Sequence, residues 1–137
     1  MRPLLPFVLL IAGTTQAQEV EDPLSIEAGH DLYMVFCQSC HGPEARGDGP
    51  FAEVLKRVPP DLTRLSERNG GSFPVARATR QIDGRDPLLG HGGEMPVFGP
   101  VFDTDFGTLS TQSGQPVLTS QSITDLIHWL KSIQVAG

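Results

Sequence analysis

Cys37-Gln38-Ser39-Cys40-His41 decides the reading of this 137-residue chain. Two thiols with two residues between them, followed at once by an imidazole, have the spacing of covalent c-type haem attachment. On a helix, residues three and four apart share a face, so Cys37, Cys40 and His41 can all be presented to one flat ligand. Each thiol would add to one vinyl group to form a thioether. His41 would then lie under the iron as its proximal ligand, a normal role for a neutral imidazole. Three other chemistries fit less well. A zinc site needs four N, S or O ligands, and the chain offers two cysteines and scattered histidines. A thioredoxin-like redox pair belongs in a βαβ context, and no strand-like alternation surrounds this motif. A structural disulfide gives no reason for the adjacent His41.

The N-terminus sets the compartment. Arg2 gives a positive start, Leu4 to Ala12 is an apolar run, and Thr15-Gln16-Ala17 is a small-residue cleavage site. Residues 1–17 therefore read as a cleaved secretory signal peptide, and the expected location is periplasmic. The run is shorter than the roughly twenty residues that span a bilayer, so no stable membrane insertion is expected after cleavage. Residues 18–137 are by length a single small domain, and a covalently held apolar macrocycle would add core that so small a domain lacks. Cleavage removes one basic residue, Arg2, and moves the formal charge from −6 to −7. Nucleic acid is an unsuitable partner for that charge. The acidic residues concentrate at the two ends and the basic ones in the middle. Arg46, Lys56, Arg57, Arg64 and Arg68 could converge near an exposed haem edge and steer an acidic partner, or be ordinary solvated charges.

Helical periodicity organises the rest. Ser25 is a candidate cap for a helix over about 26–40, with Ile26, Gly29, Leu32, Tyr33 and Phe36 along one side. Pro50 opens a short helical pattern closed by Pro59-Pro60, and another short turn is expected near Thr63. Ser72 and Pro74 introduce a helix to about Asp83, ended by Gly84. The clearest helix runs over about 122–134, with Ile123, Leu126, Ile127, Leu130 and Ile133 on one face. Residues 84–120 are rich in Gly and Pro and carry little periodicity. The predicted class is all-α.

A haem held by His41 alone leaves one iron position open. Met95, in Gly92-Gly93-Glu94-Met95-Pro96, lies where glycines let the backbone come close and Pro96 stiffens the approach. It is the expected second axial ligand. Met34, three residues before Cys37, suits the core better. His91 is the rival because imidazole also binds iron and it shares the loop with Met95. His30 and His128 fall on helices, in solvent-facing or structural positions.

Taken together, these residues resemble the class I cytochrome c family over nearly the whole of residues 18–137. The family places a glycine eight residues before the first haem cysteine and an aromatic four after that glycine, matched by Gly29 and Tyr33. Its C-terminal helix carries a Leu-x-x-aromatic-Leu pattern, matched by Leu126, Trp129 and Leu130. Its Pro-x-Leu is matched by Pro60-Asp61-Leu62. The resemblance implies helices wrapped around one covalent haem c and its iron, with crossed terminal helices meeting at Gly29. It also implies that the Pro60 carbonyl accepts the His41 Nδ1 proton. The chain departs from short family members over Phe98–Ser120, a polar excursion whose Phe98, Val101, Phe102 and Phe106 are expected to cover the haem edge or a local pocket. Arg80 and Arg85 are candidate partners for the haem propionates.

The implied function is single-electron carriage between respiratory or periplasmic redox proteins that dock transiently. With His41 and Met95 both on iron, little need move when an electron arrives, and no enzymatic activity is expected. The alternatives are a haem peroxidase or a gas or redox sensor with a displaceable sixth ligand, or a subunit of a larger respiratory complex.

Overall fold

The N-terminal helix, α1 (Pro23–Phe36), starts where the Asp22 carboxylate accepts the Leu24 N–H at 3.1 Å and Pro23 occupies the first turn. In this computed structural model residues 21–85, 95–102 and 105–135 are described. The predicted signal segment and the rival ligand His91 lie outside the described residues. Ser25, the expected cap, is inside α1, because a proline with its fixed φ favours the position just after the cap. The Ser25 hydroxyl instead donates to Asp125 and meets His128 Nδ1 at 2.7 Å, both on the last helix.

The single helix expected over 26–40 is broken at Cys37 (φ −117°, ψ −35°). A short second helix, α2 (Gln38–His41), follows at once, with the Cys40 and His41 N–H groups both bonded to the Cys37 carbonyl. The expected helix after Pro50 shrinks to a 3₁₀ turn over Ala52–Val54, and further 3₁₀ turns span Leu62–Arg64 and Glu67–Asn69. Helix α3 (Val75–Asp83) buries Val75, Thr79 and Ile82, and Gly84 ends it at φ +79°. The expected cap Ser72 is used elsewhere: its hydroxyl donates to Gln112 at 2.6 Å.

The strand-free expectation for residues 84–120 needs correcting. An antiparallel hairpin pairs β1 (Phe106–Ser110) with β2 (Pro116–Ser120), Thr108 opposite Leu118 and Leu109 opposite Val117. Gly107, Leu109 and Thr119 face inward and are buried, while Phe106, at 93% exposed, stands on the outer face. Phe106 thus covers no local pocket among the described residues. The hairpin leads straight into the last helix, α4 (Gln121–Ser132), whose cap Ser120 is also the final residue of β2.

The core forms where α1 packs on α4. A side chain at Gly29 would overlap the Asp125 carbonyl and the Trp129 Cβ, so only glycine lets the two backbones approach this closely. One turn on, Tyr33 and Trp129 pack with ring centroids 4.3 Å apart, an arrangement that adds about 0.5–1.5 kcal/mol beyond area burial. Ile123, Leu126, Ile127 and Leu130 complete the buried face of α4. Among the described residues, no helix is long and apolar enough to cross a membrane.

Replacing Gly29 by Ala gains at most about 1 kcal/mol of helix propensity. It places a methyl group against a carbonyl that cannot yield unless the helices separate. We expect Gly29→Ala to lower holoprotein stability by about 1–3 kcal/mol in guanidinium unfolding. Glu27→Ala, an exposed change on the same helix, should stay within about 0.5 kcal/mol.

Candidate functional site

Cys37, Cys40 and His41 occupy the single turn between the end of α1 and the end of α2. Neither thiol is in a disulfide. Burial, and secondarily the neighbouring Cys40, pushes the Cys37 thiol up to about 12. A redox-active Cys-x-x-Cys needs the opposite, a nucleophilic cysteine whose pKa is lowered.

His41 is held from both sides of the chain. Its carbonyl accepts the Gly47 N–H at 2.8 Å, and that of Cys40 accepts the Gly49 N–H at 3.2 Å, folding residues 42–49 back over α2. Tyr33, on α1, donates its hydroxyl to the Gly42 carbonyl, and burial raises its pKa far enough that it stays a donor. Gly47 in turn packs against Pro59, where a Cβ would strike the Pro59 carbonyl. This places Pro60 at the imidazole. Burial lowers the pKa of His41, and the Pro60 carbonyl is the group that opposes the shift. Nδ1 is fully buried, yet its geometry to that carbonyl falls short of a normal hydrogen bond, which leaves it without a partner.

Leu62, two residues beyond Pro60, is partly buried against the core, and its N–H donates to the Ala45 carbonyl at 2.7 Å. Its own carbonyl accepts from Gln134 Nε2 at 2.8 Å. The same amide nitrogen also donates to the Leu130 carbonyl, and Gln134 Oε1 accepts the Ser66 N–H at 2.9 Å. Gln134 thus clasps the Pro60–Ser66 segment to the end of α4. Sequence reasoning missed it, since no local pattern marks a residue whose partners lie so far back in the chain.

Met95 sits on a different wall. The segment after it is pinned to the C-terminal end of α3: the Phe98 N–H donates to the Ile82 carbonyl at 2.8 Å, Gly99 packs on the Asp83 backbone, and Val97 fills the space beside Gly84. Phe98 stacks on Phe102 at 5.5 Å, and Phe36, the residue before Cys37, meets Phe102 edge-on at 5.1 Å. That aromatic trio links the Met95 segment to the motif helix. Met95 itself is partly buried against the core, as is Met34.

The basic residues of the middle segment are engaged locally. Arg46 pairs with Glu44, Arg64 with Glu67, and Arg68 donates to the Asp61 carbonyl, while Lys56 and Arg57 also have partners. Arg85 is bound to Asp83 and to the Leu118 carbonyl, where it ties α3 to the hairpin.

The donor set fits a covalent haem better than a bare metal ion. Among the described residues, no group of three or more His, Cys, Asp and Glu side chains converges on one point. A buried Nδ1 turned toward a backbone carbonyl leaves Nε2 as the ligating nitrogen, the arrangement that orients metal-bound histidines. Met34, Leu62, Ala78, Met95 and Phe98 are apolar, partly buried and packed against the core.

The family model for Cytochrome c matches residues 26–134. No curated protein and no solved structure matches the chain. With its attachment motif, its paired terminal helices and a family match over most of its length, the chain belongs to the cytochrome c family, whose members carry covalently attached haem c and its iron.

Proposed function

We propose that this cytochrome is an exported monohaem carrier of single electrons whose iron is held by His41 and Met95. The observation that carries the reading is His41 itself, with a buried Nδ1 that meets no partner but faces the Pro60 carbonyl. That environment favours a neutral, oriented imidazole as an iron ligand. When bound, haem c supplies a one-electron ferric/ferrous couple. Cys37 and Cys40 would tether it through thioethers, and His41 would offer Nε2 to the iron. Met95 supplies a neutral thioether, which favours the ferrous state and raises the potential. Leu62, Ala78 and Phe98, apolar and half-buried, would help keep water from the couple, and burial of the ferric charge among them would act in the same direction.

The segment that bears Met95 is anchored to α3 by a backbone hydrogen bond and two close glycine contacts. Such anchoring supports a ligand that stays in place as the oxidation state changes, which suits electron carriage more than peroxide or gas chemistry. The signal-like residues 1–17 support a periplasmic location. The acidic ends and paired basic residues suit brief docking to redox partners, with binding that weakens as salt rises.

Two measurements test this reading. With Cys37 and Cys40 both changed to Ala, haem should be removed entirely by acid and organic solvent, whereas the unaltered protein should retain it. Haem resistant to extraction in the double variant would remove covalent attachment at this motif. In the second test, the ferric wild type should be low-spin with a methionine-to-iron charge-transfer band. Met95→Ala should abolish the band and lower the midpoint potential by on the order of 0.1 V, within the roughly 0.8 V that axial ligation spans. A high-spin wild type, or a band that survives in Met95→Ala, would exclude Met95 as the ligand and open the iron to peroxidase or sensor chemistry.

A further inference from the structure

Gln81 lies on α3 with its amide turned to Met95: Nε2 donates to the thioether Sδ at 3.9 Å. We propose that Gln81 is a positioning residue that sets the potential of the haem through Met95, a role that rests on Met95 being the axial ligand. The contact is built into the fold. The three residues after Gln81 each hold the segment after Met95: Ile82 by its carbonyl to the Phe98 N–H at 2.8 Å, Asp83 by its backbone under Gly99, and Gly84 by the space it leaves for Val97. Donor and acceptor are therefore fixed by the same end of one helix.

A thioether sulfur carries two lone pairs. With one committed to iron, the other is the acceptor for the amide N–H. A hydrogen bond there withdraws electron density from the sulfur and makes it a poorer donor. Ferric iron depends more on that donation than ferrous iron does, so the contact raises the midpoint potential. Because a carboxamide does not titrate, the effect is independent of pH across the physiological range. Removing the donor should lower the potential without freeing the sulfur; if anything, a better donor holds ferric iron more firmly.

The test uses haem-loaded wild type, Gln81→Leu, Gln81→Asn and Met95→Ala. Leu keeps similar bulk without a donor, and Asn keeps the amide on a stem one methylene shorter. Three readouts are taken on each: the methionine-to-iron band, the midpoint potential, and the affinity of ferric iron for added imidazole. We expect both Gln81 variants to retain the band. Their reduced-to-oxidised ratio at a fixed ambient potential should fall about threefold, about 28 mV at about 59 mV per tenfold for one electron. Imidazole should bind them no more tightly than wild type. An unchanged potential in both variants, with the band intact, would overturn the proposal. So would a lowered potential accompanied by tighter imidazole binding, since that marks a loosened loop and a merely structural residue. A wild-type band that persists in Met95→Ala would overturn the ligand assignment itself, and the role of Gln81 with it.

Discussion

Everything in this fold depends on how closely α1 and α4 approach at Gly29. With no side chain there, the Asp125 carbonyl and the Trp129 Cβ occupy the space that a methyl group would take. That approach brings Tyr33 under Trp129 and fixes the direction in which α1 ends. The Tyr33 hydroxyl then reaches the Gly42 carbonyl and holds the loop after the motif. Helix contact, aromatic pair and motif loop form one chain of dependence, in which a methyl-sized defect at the first link is felt at the last.

The site is assembled from two walls that meet the core independently. The first is the turn bearing Cys37, Cys40 and His41, with the Pro60 carbonyl at the imidazole. The second is the end of α3, which holds the Met95 segment below and, through Arg85 and the Leu118 carbonyl, the hairpin above. Phe36, Phe98 and Phe102 join the walls on one side. Backbone hydrogen bonds brace each wall, and the Tyr33, Gln134 and Arg85 side chains reinforce them, so the protein itself places the groups they carry.

Much of this was legible in the sequence, for identifiable reasons. Tyr33 and the apolar stripe of α4 follow helical periodicity, Trp129 and the close contact at Gly29 follow from the family resemblance, and Gly84 marks a helix end that needs a positive φ. The motif and Pro60 lie together because short loops connect them. The hairpin was hidden because two of its inward positions, Gly107 and Thr119, are not hydrophobic, so the alternation that betrays a strand is erased. The break at Cys37 escaped notice because the same residues read equally well as one helix or two. The clasp by Gln134 and the contact of Gln81 with Met95 join residues distant in sequence, and no local rule reports such pairs.

Gln134 also bears on how the molecule opens. Its amide binds Leu62, Leu130 and the Ser66 N–H at once, and the Val135 N–H adds a bond to the Thr63 carbonyl at 2.9 Å. Gln134 and Val135 are therefore the latch on the segment that faces His41. Terminal helix, proline segment and α1 are bound into one cooperative unit, so the histidine side of the site is exposed only by a large, rare opening rather than by local breathing. The Met95 side is braced separately, by the end of α3 and by the packing of Phe98 and Phe102 on Phe36, so the two faces of the site do not hang on the same latch.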